Sequence, residues 1–154
     1  MKKNKLFTQI LILIALFSCI QSPKSTNNIK EMETLSIPFN SMTLSYLGKT
    51  QTNNQAGKII FEQNRIVMQG ESSKEAFDII GISLENNIFS FQTQNNQSEK
   101  ASFIFSFSGE NIIKVSVNMF NMDGNIKIGA NSVTKSKLFA MYKNNISAKW
   151  KESY

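Results

Sequence analysis

Apolar side chains in this chain recur at every second position over long stretches. Residues 102–108 show the pattern most clearly, because Phe103, Phe105 and Phe107 share one face of an extended segment and serines fill three of the four opposite positions. Gly109 and Glu110 then interrupt the pattern, and alternation resumes over residues 113–119. A period of two places one face of a strand in a core and the other in water. These residues therefore predict a β-hairpin.

The same pattern repeats along most of the chain. Alternating runs flank polar turns at residues 62–64, 85–87 and 122–125, the last assigned to Asp123 and Gly124, and polar loops are predicted at 53–55 and 92–97. Gly81 lies inside a strand pattern and predicts a bulge or a bend. Turns at intervals of about ten residues are typical of antiparallel β-proteins. We therefore predict an all-β fold, an antiparallel meander closed as a small barrel or folded as a β-sandwich.

Residues 137–151 fit two different structures. Leu138, Tyr142, Ile146 and Trp150 recur every fourth residue, as in an amphipathic helix that could plug a barrel end or lie on a membrane surface. The segment also alternates about the polar residues 143–145, as one more hairpin would. We expect the hairpin, because two consecutive asparagines disfavour a helix and match the earlier turns.

The start of the chain has the features of an export signal. Three lysines within the first five residues precede an apolar run at residues 10–17, which leads to Ser18 and Cys19. Leu16-Phe17-Ser18-Cys19 resembles the lipobox of bacterial lipoproteins, in which a type II signal peptidase cleaves before a cysteine that carries a diacylglyceryl group. The apolar run is shorter than the roughly 20 residues that a transmembrane helix needs. Lipidation is favoured over an ordinary secretory signal because Cys19 is the only cysteine.

The resemblance implies three regions and a location. Residues 1–18 are predicted to be a signal peptide, residues 19–33 a flexible polar tether, and residues 34–154 a single β-domain. The protein is then expected in the bacterial cell envelope, with the membrane as a partner through the lipid on Cys19. Ile20 replaces the aspartate that favours inner-membrane retention in enterobacterial lipoproteins. The outer membrane is therefore the preferred location.

The absence of histidine limits the chemistry open to this chain. Neither Ser-His-Asp and Cys-His machinery nor histidine-containing zinc sites can be built without it. A hydrolase based on carboxylates would need Glu71 or Glu75 to face a second acid across a cleft, yet both lie in a segment predicted to be a loop. We therefore expect a protein that is not an enzyme and has no cofactor and no metal site.

Positive charge is concentrated near the C-terminus. Without the three lysines of the signal, fourteen basic residues oppose eleven acidic ones, and the net charge falls from +6 to +3. Lys135, Lys137, Lys143, Lys149 and Lys151 account for most of the excess. We expect a solvated lysine-rich edge, with contact to anionic head groups or another polyanion as the alternative. Nucleic acid is not an expected partner.

The phenylalanines raise the question of a ligand. The predicted domain resembles lipocalin-like bacterial lipoproteins in size and strand pattern, although the Gly-x-Trp signature of lipocalins is missing. That resemblance implies an apolar pocket lined by Phe103, Phe105, Phe107 and Trp150, whereas a filled core would use the same residues. The leading hypothesis is a non-catalytic binding module for an envelope or host protein. The alternatives are a carrier of a small apolar ligand and, as the least favoured, a carboxylate hydrolase.

Overall fold

The computed structural model describes residues 34–146, which form an antiparallel β-barrel with one helix. The nine strands are β1 (Leu35–Tyr46), β2 (Lys49–Asn53), β3 (Gly57–Phe61), β4 (Arg65–Gly70), β5 (Lys74–Glu85), β6 (Ile88–Gln94), β7 (Lys100–Ser108), β8 (Asn111–Met119) and β9 (Met122–Ile128), followed by the helix α1 (Lys135–Tyr142). Cys19, Trp150, and the predicted signal and tether lie outside the described residues. The prediction of an all-β barrel is confirmed.

Eight of the strands close the barrel. Successive strands from β3 to β9 pair as neighbours, and β1 closes the ring by pairing with β3 on one side and β9 on the other. The ninth strand, β2, pairs with β1 alone among the described strands, alongside Met42–Tyr46. β3 pairs with the first half of β1 along the same edge. Strands β2 and β3 therefore lie end to end beside β1, separated by residues 54–56.

Three β-bulges interrupt the ladders and bend the sheet toward closure. They lie between Phe39 and Ser41, between Ile79 and Gly81, and between Ser106 and Phe107 opposite Ile113. The bulge predicted at Gly81 is confirmed. The extra residues Ile80 and Ile113 do not follow the alternation, which explains why these large apolar side chains are 56% and 64% exposed.

The barrel has two ends, which we name the helix end and the rim. Because adjacent strands are antiparallel, the turns at residues 62–64, 86–87 and 109–110 share one end with the first residue of β1 and with α1; this is the helix end. The rim is the opposite end, formed by four turns at residues 47–48, 71–73, 95–99 and 120–121. Lys135, the first residue of α1, donates hydrogen bonds to Asn87 and Glu110, and Tyr142, the last residue, donates one to Glu62. These bonds hold the helix at this end of the barrel.

The structure corrects two of the turn and loop predictions. The chain turns at Phe120 and Asn121, both with positive φ, whereas Asp123 and Gly124 lie within β9. Gly124 is buried there, and a Cβ at this position would lie only 2.7 Å from Val117 and 2.8 Å from a Leu44 methyl. The packing therefore requires a glycine. The loop predicted at 92–97 starts later, because β6 continues to Gln94.

The hairpin expected at 137–151 is wrong over residues 137–142, where the helix alternative is confirmed, and the helix ends at Tyr142 before a turn at 143–145. Thr134 begins the helix as its N-cap, and the Thr134 hydroxyl accepts a hydrogen bond from the backbone N–H of Lys137. Leu138 and Tyr142, one turn apart, are fully buried against the barrel interior. The two asparagines at 144–145 follow the helix and do not interrupt it.

Candidate functional site

Phenylalanine side chains fill the middle of the barrel. Phe103, Phe105 and Phe107 all point inward from β7, as the alternation predicts, and are buried. The ring of Phe103 contacts Phe77 with centroids 5.3 Å apart, and the ring of Phe105 lies 5.2 Å from Phe61. These separations are those of rings in direct contact. The structure therefore brings three of the four predicted pocket residues into one packed cluster, while Trp150 lies outside the described residues.

Helix α1 closes the barrel at the helix end. The ring of Tyr142 packs 5.2 Å from Phe91, and the Tyr142 hydroxyl donates a 2.6 Å hydrogen bond to the main-chain carbonyl of Glu62. Burial raises the pKa of Tyr142 above its ordinary value, and the charge of Glu62 adds to this effect. Tyr142 thus remains a neutral donor, and the apolar interior is separated from solvent at this end by an aromatic ring with a satisfied hydroxyl group.

The rim carries a buried amide held between two carboxylates. Asn95 is only 4% exposed, and its Nδ2 donates to Glu75 Oε1 at 3.2 Å and to Glu99 Oε2 at 2.8 Å. The carbonyl oxygen of the same side chain accepts from the backbone N–H groups of Gln97 and Glu99. Asn95 therefore organises the turn at 95–99 and ties it to the first residues of β5.

Glu75 is a half-buried carboxylate at the rim. It lies on the inward face of β5, opposite Met68 on β4. Burial raises the pKa of Glu75, the nearby charge of Glu99 raises it further, and the hydrogen bond from Asn95 partly opposes these effects. Glu71, the other glutamate considered from the sequence, is exposed on the neighbouring turn. A carboxylate with a raised pKa can accept and release protons nearer neutral pH than an ordinary one.

Two large apolar residues occupy strained turn positions at the rim. Leu47 and Phe120 have φ values of 48° and 53°, a left-handed conformation that costs about 1 kcal/mol or more for residues with a Cβ. Their turns are adjacent, because Ser45 pairs with Asp123 between β1 and β9. The corresponding turn at the helix end uses Asn86 and Asn87, which tolerate this conformation better. Leu47 is in addition 84% exposed, so the rim presents an apolar side chain in a strained position.

No protein-family model matches the chain, and no curated protein matches it significantly. Among residues 34–146, no helix has the length and apolar character that crossing a bilayer demands. In that part of the chain, no three aspartate, glutamate, histidine or cysteine residues come together in a way that would hold a metal ion.

Sequence reasoning missed the residues that distinguish the rim. The sequence predicts a polar loop over residues 92–97, which include Asn95, whereas β6 continues to Gln94 and Asn95 is buried directly after it. Leu47 was visible in the sequence as an apolar residue before Gly48, where asparagine is common in a hairpin turn. That Leu-Gly pair is the sequence signal that could have located the rim.

Proposed function

We propose that this chain is a lipid-anchored lipoprotein of the bacterial envelope, most simply at the outer membrane, and acts as a non-catalytic binding module. The barrel is a rigid support, and the rim is the surface that meets an envelope or host protein. Cys19 carries the lipid in this proposal, and no cofactor takes part. The observation that carries the proposal is the placement of the rim at the end of the barrel opposite the first residue of β1.

That placement gives the anchored domain a direction. A tether from Cys19 joins β1 at Leu35, on the helix end, so the rim is the end of the barrel away from the point where the anchor is attached. Fifteen residues from 19 to 33 reach at most about 50 Å when extended. The exposed Leu47 would then project toward molecules outside the membrane. Non-glycine residues held in a strained backbone conformation cluster at functional sites, and this supports a binding role for Leu47.

The anchor is tested by acylation in the native host. We expect the protein to partition into the detergent phase, and the Cys19→Ala variant to remain in the aqueous phase. Mass spectrometry of the purified protein should find residues 1–18 removed and the sulfur of Cys19 modified. An unmodified thiol or a retained signal would reject the lipoprotein assignment.

The role of the rim is tested by photo-crosslinking in cells. A photoreactive amino acid at Leu47 is expected to give a discrete crosslinked protein, whereas the same amino acid at Ile113 gives none. Ile113 is a matched control because it is also apolar and exposed but lies toward the helix end. Equal crosslinking at both positions, or none at Leu47, would contradict a binding surface at the rim.

A carrier of a small apolar ligand is the second candidate function. The closed barrel of eight strands favours it, since barrels of this size hold one small ligand in some proteins and are filled by side chains in others. Ring contacts such as Phe61 to Phe105 support the filled alternative. Native mass spectrometry of protein from its own host decides between them, because a carrier retains a lipid of defined mass and a surface binder does not.

A further inference from the structure

Five of the nine lysines among residues 34–146 lie on the half of the barrel next to the helix end. Two lie on the outer faces of β8 and β9 and three on or beside α1: Lys114, Lys127, Lys135, Lys137 and Lys143. All are exposed or half-buried at the surface. Three glutamates share this half of the barrel, namely Glu62, Glu85 and Glu110. Glu62 is paired with Arg65, and Glu110 accepts a hydrogen bond from the Ser136 N–H, so both already have partners.

Two of these lysines lie side by side on neighbouring strands, although their like charges repel each other. Val115 on β8 pairs with Ile126 on β9, so Lys114 and Lys127 are the next residues along their strands and point to the same outer face. Like charges on neighbouring strands destabilise a sheet. The outer neighbours of this pair are uncharged, since Lys114 pairs with Ser106 and Lys127 pairs with Ser41. The pair therefore lowers stability unless an anion lies against it.

Two more lysines are placed unfavourably in α1. Lys135 and Lys137 lie in the first turn of the helix, where the helix dipole favours acidic side chains and disfavours cations. Lys135 Nζ donates to the side-chain oxygen of Asn87, and Lys137 Nζ donates to the carbonyl of Ser132. Lys137 thus binds a neutral acceptor and keeps its charge available to an external anion, whereas the charge of Lys135 also acts on the nearby carboxylate of Glu110.

We infer that the helix end is a second membrane contact, in which these lysines bind the anionic head groups of the bilayer that holds the lipid anchor. This inference rests on the proposed function, because the tether enters the domain at this same end. A lysine near an anionic membrane surface contributes on the order of 1 kcal/mol, and the contribution is screened by salt. The contact would hold the helix end against the bilayer and keep the rim facing outward.

Vesicle binding by the unacylated protein tests the contact separately from the anchor. The chain from residue 19 with Cys19→Ser is mixed with phosphatidylcholine vesicles, with and without a fraction of phosphatidylglycerol, and the bound share is measured by flotation. We expect binding only to the anionic vesicles, with a loss on addition of salt. Reversal of two charges by Lys114→Glu and Lys127→Glu should lower the partition coefficient at least about tenfold.

The matched control reverses two charges in the other half of the barrel. Lys74→Glu and Lys100→Glu make the same change in net charge on exposed positions that begin β5 and β7 beside the rim turns, and should change binding by no more than about twofold. Equal losses in the two variants would mean that net charge alone is measured, and would overturn the inference. Absence of binding to anionic vesicles would also overturn it. Circular dichroism establishes that each variant is folded.

Failure of this inference is distinguishable from failure of the proposed function. If the vesicle assay is negative while the acylated native protein still enters the detergent phase, the anchor stands and the lysine contact is rejected. If the unacylated protein binds anionic vesicles but Cys19 proves unmodified in the native host, the contact stands and the lipoprotein assignment is rejected.

Discussion

The hydroxyl group of Tyr142 on helix α1 donates to the main-chain carbonyl of Glu62, eighty residues earlier in the chain, at 2.6 Å. This bond joins the helix to the turn that follows β3, across the end of the barrel. The ring beneath it packs against Phe61 and Phe91 in the interior. The Tyr142 hydroxyl thus hydrogen-bonds a backbone oxygen at the edge of the core, and its ring covers the core at that end of the barrel.

Removing only that hydroxyl should destabilise the domain. Tyr142→Phe keeps the ring but leaves the Glu62 carbonyl without its donor, which costs about 1–2 kcal/mol of the free energy of unfolding. Tyr142→Ala also removes the ring and should cost about 3–5 kcal/mol. Urea denaturation followed by circular dichroism measures both. Equal stability of Tyr142→Phe and the wild type would show that the hydrogen bond contributes nothing.

The stability of the rim should depend on pH through Glu75. Because the pKa of Glu75 is raised in the folded state, its contribution to stability is complete below the ordinary value of 4.5 and is lost as the pH rises through the folded-state pKa. Glu75→Gln preserves an acceptor for Asn95 and removes the buried charge. We therefore expect this variant to melt at a higher temperature than the wild type at neutral pH, with the difference disappearing at acid pH.

Glu71→Gln is the control for that experiment, since Glu71 is exposed on the adjacent turn. It removes the same charge and should show no comparable dependence on pH. A Glu75→Gln variant that melts below the wild type at neutral pH would mean that the carboxylate stabilises the rim.

Gly124 should not tolerate a methyl group. The nearest atoms to an added Cβ belong to Val117 and Leu44 at 2.7 and 2.8 Å, and both lie in the packed barrel. Gly124→Ala is expected to lower the free energy of unfolding by about 1–3 kcal/mol through overpacking. At Gly81 the nearest atom is 3.7 Å away, so Gly81→Ala is the matched control and should be close to neutral. Comparable losses at the two glycines in chemical denaturation would exclude packing at Gly124 as the cause.

Replacing the exposed leucine of the rim should increase stability and reduce binding. Leu47→Asn places a residue that tolerates positive φ in the turn, and should stabilise the domain by up to about 1 kcal/mol. Asn86→Leu makes the opposite change in a helix-end turn and should destabilise by a similar amount. Thermal melts measure both effects. If Leu47→Asn also retains the crosslinked partner in cells, the leucine is not part of the binding surface.

The strands could be predicted from the sequence because each depends on a local pattern, the alternation of apolar and polar residues that β7 shows most clearly. Turns with Asn86, Asn87 and Gly109 were recognised for the same reason. Gly124 was misassigned because Asp-Gly commonly forms a hairpin turn, and only the packing of Leu44 and Val117 around it shows why a glycine is needed within β9. That packing depends on residues far apart in sequence.

The helix and the rim depended on the same kind of distant contact. Leu138 and Tyr142 fit a helix and a hairpin equally well until the barrel interior is present to receive them. The Thr134 cap was the local signal that favoured the helix. Burial of Asn95 and Glu75 follows from how β5 and β6 meet at the rim, which no single stretch of sequence records.

The pairing of β1 with β9 has a consequence for how the molecule assembles. A polypeptide emerging N-terminus first from a ribosome or a translocation channel delivers β1 long before β9. The ring therefore stays open until β9, the last of the nine described strands, arrives. Such distant pairing makes closure a late and slow event. The newly made chain therefore remains unfinished, and able to be threaded across a membrane, for almost the whole of its synthesis.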